Sequence, residues 1–571
     1  MNQTVFVRHV GLFASLFVLA GAAPALAQPA PILPAAAPPA AVPPSAAPPT
    51  APTPGGVGAA TPYTGAPPGP GGATPSAPPP VGAPDAVAAG AVAAGVVAAP
   101  ISVAVPAGAP PGAVPTLTSA TPELVHQFDF GSYGRAIGSI NARGTATRNA
   151  DLMILTNGSR LDEGTYTELE FRRTDEWLPP NATRPIQSRI LITPSIGGDA
   201  FHYTGRFSAS IALRNLAAEV KGIGHPGLLF WAGSRMYRGD DIFVLDFWPL
   251  DNVNTLGGGS KLELPSRTKI ALHAGLQRID DPFLYQQVDR PLPYRQPGTA
   301  KVNLLDRPRV ISTLRVEQGF ALEGKASMKL VGYSELHYIN GGRRQAIDPA
   351  AAASDPPGPI TGLPPDSGYV IGGQIGYGLG ERDSFFNVIV RYARGLAAYP
   401  EFVVPFERNA DGTTGGAREA RVAAWGNYEF GNWAIMSALL ARSFRTSVPD
   451  GQSFLGLDEA IILTRPHYFI TDNIGIFFEG VLEGQRRLKG TSAVTGKKRT
   501  VSGELWRLGI VPFLSPSGKG TFKRPQIRAI YHVSVRDRDA RSYYPQDDPF
   551  RRHGVEHFFG LGVEWWFNYQ N

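Results

Sequence analysis

Cysteine is absent from the 571 residues. That excludes a disulfide scaffold, a thiolate zinc site, a thiol nucleophile and an iron–sulfur cluster. Long apolar runs are missing too. From His126 onward nothing approaches the ~18 uninterrupted apolar residues of a membrane-crossing helix. Charge of one sign is scarce: 53 Lys and Arg against 47 Asp and Glu leave +6, too modest a surplus to make nucleic acid a partner. Catalytic signatures are also lacking, with no G-x-S-x-G elbow, no Walker loop and no H-E-x-x-H. His553-Gly554-Val555-Glu556-His557 has the order H-x-x-E-H, but that motif needs a helix to bring both imidazoles to one face. Gly554 interrupts it just ahead of a terminal strand, so polar residues in a last turn are the simpler reading. Asp251-Asn252-Val253-Asn254 faintly follows a calcium loop, yet Leu256 stands where that loop needs glycine, and it reads as a turn. The chain is expected to be no enzyme and to need no metal and no cofactor.

What the sequence does have is unevenly placed. Of 54 prolines, 26 fall within residues 28–122, mixed with Ala and Gly, where Asp85 is the one charged residue and Tyr63 the one aromatic. Such a stretch cannot bury a core and reads as a disordered linker with polyproline-type runs. Within it, 86–105 is almost wholly apolar. It is mostly Ala and Gly, and Pro100 interrupts it, so a spacer is favoured over a membrane helix. Ahead of it, 1–27 reads as a secretory signal peptide: Arg8 and His9, an apolar 10–22, then Ala25-Leu26-Ala27 before Gln28. Three segments follow: 1–27 signal peptide, 28–122 periplasmic linker, 123–571 the folded domain.

In that last part the recurring pattern is alternation. Tyr166, Glu168, Glu170 and Arg172 share one face of a strand, and Thr167, Leu169 and Phe171 the other. Stretches 269–277, 309–318, 326–338 and 459–464 alternate similarly, which means strands with one polar and one apolar face. A soluble sandwich turns its apolar face inward; an outer-membrane barrel turns it to lipid and keeps polar side chains around a wet lumen. Export, and ionised residues on the polar face, favour the barrel, because a dry core rejects Glu168, Glu170 and Arg172. Trp177, Tyr237, Trp425, Tyr428, Trp433 and Tyr468 sit near strand ends, as interfacial girdles do. At roughly 25 residues per strand and connection, 123–571 makes ~18 strands. The fold class is therefore all-β, a transmembrane antiparallel barrel in a Gram-negative outer membrane, with lipid as a partner.

Five motifs occur in the order of one known family. Phe128-Asp129-Phe130-Gly131-Ser132-Tyr133-Gly134-Arg135 resembles the first strand of the maltoporin family of sugar-specific porins. Asn157-Gly158-Ser159-Arg160 with Thr165-Tyr166-Thr167-Glu168-Leu169 is similar to its second-strand region. Trp231-Ala232-Gly233-Ser234-Arg235-Met236-Tyr237, followed by 240–248 and Gly257-Gly258-Gly259, resembles the approach to its inward-folded constriction loop. Phe522-Lys523-Arg524-Pro525-Gln526-Ile527-Arg528 and 559–567 resemble its last two strands. The likeness covers about 126–567. It implies an 18-stranded homotrimeric barrel that passes oligosaccharides along aromatic rings faced by ionisable groups. The physics fits independently: pyranose C–H faces stack on rings, and hydroxyls want Arg, Asp and Glu partners.

Carried over, the aromatic set is Tyr133, Tyr166, Trp248, Phe386, Phe522 and Trp566, and the polar set Arg135, Arg160, Glu168, Arg214, Asp241 and Asp246. Trp248 stands where the family usually has a tyrosine, Phe243 where it has a histidine, and Gly239 where it has an arginine, with Arg238 one residue early. Val388 occupies the mid-ladder position, so Phe386, two residues earlier on the same face, is taken instead. The partner-subunit tryptophan has Phe201 and Tyr203 as nearest candidates. The family's loop disulfide is absent, so packing alone is expected to hold the loop. These departures bear on maltodextrin specificity more than on transport. The alternatives are a non-selective porin and an envelope-tethering barrel that touches the cell wall through 28–122; neither needs an aromatic ladder.

Overall fold

A strand with alternating side chains must choose which face to hide, and here the polar face is hidden. In β2 (Tyr166–Trp177) the buried residues are Tyr166, Glu168, Glu170, Arg172 and Thr174, while Leu169, Phe171 and Arg173 lie on the more exposed face. Carboxylates and guanidiniums tolerate that position only where water or opposite charge meets them. The strands therefore enclose a lumen and turn their apolar side outward.

A computed structural model describes residues 124–568, apart from 145–154, 156, 163, 181, 183, 198–209, 293–295, 347–359, 381, 450–452, 454 and 492–497. The expected signal peptide and linker, and Phe201 and Tyr203, lie outside the described residues.

Around β2 the chain forms β1 (His126–Asn141), β3 (Ile186–Gly197), β4 (Ser210–Lys221), β5 (Leu228–Arg238), β6 (Asn252–Glu263) and β7 (Thr268–Gln277). A small hairpin, β8 (Tyr285–Pro291) with β9 (Thr299–Asp306), precedes β10 (Arg309–Ala321) and β11 (Ser327–Ile339). A second hairpin, β12 (Gly342–Gln345) with β13 (Ile360–Leu363), precedes β14 (Asp366–Gly378), β15 (Phe385–Gly395), β16 (Arg418–Phe430) and β17 (Trp433–Arg445). The chain finishes with β18 (Leu457–Phe469), β19 (Ile474–Thr491), β20 (Lys498–Leu514), β21 (Gln526–Arg536) and β22 (Val555–Phe567). Setting the two hairpins aside, each strand pairs antiparallel with the next, and β22 pairs back with β1, so 18 strands close. Closure removes the sheet edges that lipid would leave unbonded. The strand count and class agree with the alternation and length.

Connections differ between the two rims. One rim has tight turns such as 264–267, 431–432 and 470–473, and both barrel termini lie there. The other has long connections, among them 278–308 with the first hairpin and 396–417.

The outward face carries an aromatic belt at each rim. Trp177, Tyr377, Tyr428, Trp433, Tyr468 and Phe567 are exposed at the short-turn rim, and Tyr338, Tyr369, Tyr392 and Phe559 at the other. Two of the girdle residues expected from sequence are corrected. Tyr237 points inward, where its ring lies 5.5 Å from that of His273, and Trp425 is buried on the lumenal face with Asn427 and Glu429. Their polar same-face neighbours fix the parity. Glycine matters where rings press on backbone. A Cβ on Gly134 would lie 2.2 Å from Trp565 Cζ2, and one on Gly259 2.6 Å from Trp231 Nε1.

Candidate functional site

The connection 239–251, between β5 and β6, folds into the lumen. Its apolar residues demand this: Ile242, Phe243, Val244, Leu245 and Leu250 are buried, packed with Tyr333, Ile389 and Ala423 from the inner wall and with Leu155 from the connection between β1 and β2. A single 3-10 turn, Phe243–Leu245, is closed by Asp246 in the left-handed region (φ 49°). Ser159 and Arg160, between β1 and β2, also reach inward: Arg160 N–H donates to the Val244 carbonyl at 3.2 Å and Ser159 Oγ to Glu479 at 2.6 Å. Two loops thus meet inside the barrel.

Aromatic rings run along the wall beside them. Tyr166 and Tyr133 have centroids 6.3 Å apart. Both cluster with Trp248, and Trp566, the register partner of Tyr133, packs against this group. From Trp566 the run continues to Phe243 at 5.8 Å, to Phe522 at 5.2 Å and to Phe385 at 6.2 Å. It descends toward the short-turn rim, because Tyr166 opens β2 at the long-loop end while Phe522 and Phe385 lie by the turns. Tyr133, Tyr166, Trp248 and Phe243 are buried; Trp566, Phe522 and Phe385 keep part of their surface open.

The polar groups expected from sequence lie on this run. The Tyr133 hydroxyl accepts from Arg160 Nη2 at 2.7 Å and Arg135 Nη1 at 3.1 Å. The Tyr166 hydroxyl donates to Glu168 and accepts from Arg214, which also pairs with Glu168 at 3.1 Å. Arg160 reaches Glu564 at 2.8 Å and lies 4.5 Å above the Phe243 ring. Arg238 lies 4.1 Å above the Trp248 ring, so one residue earlier in sequence still places a guanidinium at the constriction. Asp241 is buried in the loop, its Oδ2 without a hydrogen bond; burial pushes its carboxyl up to about 7, against the pull of Arg160. Asp246 caps the 3-10 turn, its N–H bonded to the Phe243 carbonyl at 3.3 Å.

Phe386 is a correction. On β15 the residues Val390 and Tyr392 are exposed on the outward face, and Phe386 shares their parity. Phe385, of the opposite parity, faces the lumen with Asn387 and Arg391 and joins the run. The sequence signal was there: polar Asn387 and Arg391 mark the inner face, and only odd-numbered residues share it. Arg524 and Arg528, outside the polar set expected from sequence, both bond Glu564, at 2.8 and 2.6 Å. The expectation that packing alone holds the loop is likewise too narrow, since Asp240 pairs with Lys329 at 2.5 Å and Asp251 with Arg315 at 2.6 Å. His553 ends a short helix, while His557 bonds Tyr531 at 3.0 Å from the outward face and Glu556 pairs with Arg143 at 2.6 Å. The H-x-x-E-H residues therefore do not converge. Among the described residues no group of three or more His, Asp and Glu is placed to hold a metal ion.

No curated protein matches the chain. Among solved structures it is similar to OccK1 (OpdK) of Pseudomonas aeruginosa, at 10% identity and a TM-score of 0.34, covering 77% of this chain and 98% of that one. It is also similar to the trimer form of OmpT, an outer membrane protein of Vibrio cholerae, at 12% identity and a TM-score of 0.32, covering 77% and 99%. OccK2 (OpdF) of Pseudomonas aeruginosa matches at 12% identity and a TM-score of 0.36, covering 77% and 97%. A family model described as LamB porin matches residues 128–567. That span runs from the first barrel strand to the last, and with a closed 18-stranded barrel around an inward loop it makes this outer-membrane chain a member of the LamB porin family.

Proposed function

We propose that the barrel is a sugar-selective porin that lets oligosaccharides cross the outer membrane by facilitated diffusion. The observation that carries this reading is the run Tyr166, Tyr133, Trp566, Phe243, Phe522 and Phe385: Tyr166 and Tyr133 have centroids 6.3 Å apart, Trp566 packs against that pair, and centroids from Trp566 to Phe385 follow at 5.2 to 6.2 Å. Trp566, Phe522 and Phe385 offer faces to successive pyranose rings, and the buried rings hold them in place. Arg135, Arg160, Glu168 and Arg214 lie alongside as partners for hydroxyls. Many shallow, similar sites let a sugar bind and still leave, which conduction requires. No covalent step and no energy source enter. Export through a cleaved signal peptide and assembly as a homotrimer belong to the same reading. A non-selective pore has no use for a ladder of rings.

Single-channel current through the purified protein in a planar bilayer tests it, with a panel of linear oligosaccharides. Saturable block is expected, weakened by Trp566→Ala and by Phe522→Ala. With a ring–sugar stack set equal to a pair of stacked aromatic rings, ~0.5–1.5 kcal/mol, each variant should raise the half-blocking concentration about 2- to 12-fold. A pore whose current is indifferent to every sugar sinks the reading.

A further inference from the structure

The long-loop rim carries a row of arginines on the outer surface of the barrel. In the closed sheet Arg394 of β15 stands directly opposite Arg418 of β16, and Arg418 directly opposite Arg445 of β17. Strand parity turns all three outward: Arg394 shares its face with Tyr392 and Val390, Arg418 with Val422, and Arg445 with Leu439 and Ile435. Like charges directly opposite one another on one face repel. The nearby wall carboxylates Glu335, Glu419 and Glu459 do not answer them, because these are buried on the lumenal side. Arg445 is tied down. It pairs with Asp458 at 2.8 Å and donates to the Phe444 and Leu457 carbonyls at 2.8 and 3.0 Å, and Asp458 is shared with Arg486 at 2.5 Å. Arg394 and Arg418 are exposed and have no hydrogen bond and no ion pair among the described residues. The acidic residues of the connection 396–417 are engaged elsewhere: Glu401 with Asn254, Glu407 with Thr446 and Ser453, and Asp411 with Thr413. Asp450, in the connection 446–456, lies outside the described residues.

The aromatic belt sets the level of this row. Tyr369 of β14 is the register partner of Arg394, Tyr392 lies two residues before it, and the two rings, both exposed, have centroids 6.5 Å apart. Such rings mark the membrane–water interface, so the arginines stand at headgroup height. Long connections face the exterior in barrels of this kind. On the membrane side of the row the same faces are apolar, with Val390 and Val422 exposed. An open recess of about 330 Å³ adjoins the row, lined by Arg418 and Arg445 together with Gly416, Thr446 and Ser447. The rest of the rim is different. The outermost outward-facing residues are Leu276 on β7, Val310 on β10, Val535 on β21 and Val555 on β22, and β20 presents the carboxylate of Glu504.

We propose that this row is a binding site for a phosphorylated glycolipid of the outer leaflet: Arg394, Arg418 and Arg445 receive a phosphate group of the lipid A type, while its acyl chains lie against Val390, Val422 and Leu439. Guanidinium forks match phosphate oxygens with parallel, charge-assisted hydrogen bonds. A phosphate held between neighbouring strands turns the repulsion among the opposed arginines into shared attraction. The apolar wall beneath the row selects a lipid over a free anion, which would leave that wall unused. Aromatic rings at both ends of these strands, Tyr392 at one rim and Tyr428 and Trp433 at the other, fit contact with lipid rather than with a second copy of the chain.

The test measures lipid retained by the full protein, immobilised in non-ionic detergent, and compares bisphosphorylated lipid A with the same lipid stripped of its phosphates. In 0.1 M KCl lipid A should half-saturate at a concentration at least tenfold lower, and 1 M KCl should shrink that advantage several-fold. Replacing both free cations, Arg394→Gln with Arg418→Gln, should raise the half-saturating concentration at least fivefold. Arg173→Gln, an exposed outward-facing arginine of β2 at the opposite rim, should leave it within twofold. Equal retention of the two lipids, an advantage indifferent to salt, or an unchanged value in the double variant overturns the proposal. An equal loss in Arg173→Gln reduces the binding to general charge attraction and overturns the site. Displacement of lipid A by millimolar inorganic phosphate assigns the row to a soluble anion and overturns the lipid. Should the double variant fail to fold, the lipid comparison and its salt dependence on the wild-type protein still decide.

Discussion

Phe385 and Phe386 give a direct test of which way the wall faces. They are adjacent and identical in size, so replacing each by alanine removes the same ring from opposite sides of β15. The Phe385 ring stacks on Phe522 with centroids 6.2 Å apart and planes 29° apart. With the lost sugar stack set equal to an aromatic pair, ~0.5–1.5 kcal/mol, Phe385→Ala should raise the half-blocking concentration about 2- to 12-fold. Phe386 shares the outward parity of Val390, which is 57% exposed in the barrel and faces lipid. Phe386→Ala should leave the half-blocking concentration within about twofold, because no lumenal contact of the kind worth ~0.5–1.5 kcal/mol is lost. Both variants are read in the same bilayer assay, at one voltage and one oligosaccharide. If Phe386→Ala weakens block and Phe385→Ala does not, the register of β15 is off by one residue. Such a slip carries every side chain of a strand to the other face, and the parity argument for the whole wall would go with it.

Three further outcomes follow from other parts of the barrel. Gly134→Leu places a side chain where Trp565 already lies, 2.2 Å from the ideal Cβ; the barrel seam should fold poorly, read as a lower folded fraction on an unheated gel, while Gly138→Leu, with open space around it, should fold normally. Asp162→Ala removes the carboxylate 3.1 Å from Arg507, whose side chain is fully buried; breaking such a pair costs ~3–5 kcal/mol, to be seen as a lower urea midpoint in detergent. Glu401, in the connection 396–417, accepts hydrogen bonds from the Asn254 N–H and Nδ2, and burial pushes its carboxyl up to about 8. Its folded pKa lies above the unfolded carboxyl value, so the folded loop holds an extra proton between the two; that stabilisation is full below the unfolded pKa and fades as pH rises toward 8. Proteolysis within 396–417 should therefore quicken from pH 6 to pH 9, and Glu401→Gln should flatten the dependence.

The legible part of the molecule was whatever repeats locally. Tyr166 to Arg172 states its two faces within seven residues, and enough such segments add up to the barrel. The errors came where two faces want the same chemistry. Aromatic residues serve both the lipid belts and the lumen, so position near a strand end does not separate Tyr237 and Trp425 from girdle residues, whereas polar same-face neighbours do. A Phe-Phe pair fits either parity, and Asn387 and Arg391 decide it. The Glu564 cluster was illegible for another reason. Its partners Arg160 and Arg524 are 404 and 40 positions away in sequence; Arg524 meets Glu564 where β21 pairs with β22, and Arg160 only because β22 closes on β1 and a loop folds inward. Pattern within a strand reveals the face but not which side chains converge across a closed barrel.

Closure also explains how a constriction loop stands without a disulfide. Ile242 N–H bonds the Phe247 carbonyl at 2.7 Å, so the loop is pinched on itself. Further fastenings reach distant parts of the wall. Asp251 pairs with Arg315 of β10, Asp240 with Lys329 of β11 and with Gln374 of β14 at 2.5 Å, and the Pro249 carbonyl accepts from Arg421 of β16 at 2.9 Å. Arg160, on another loop, donates to the carbonyls of Phe243 and Val244. A disulfide across a loop of ~15 residues acts largely on the unfolded chain, at ~3 kcal/mol, and would restrict the loop before the barrel exists. These contacts act the other way. None of the four wall strands is adjacent to the loop's own β5 and β6 in the closed sheet, so none is in place until the strands between have paired. The buried apolar residues Ile242 to Leu245 likewise have nothing to pack on until the inner wall is complete. The constriction therefore forms as a consequence of barrel closure, and its shape is set by charged residues of the wall rather than by a covalent staple within the loop.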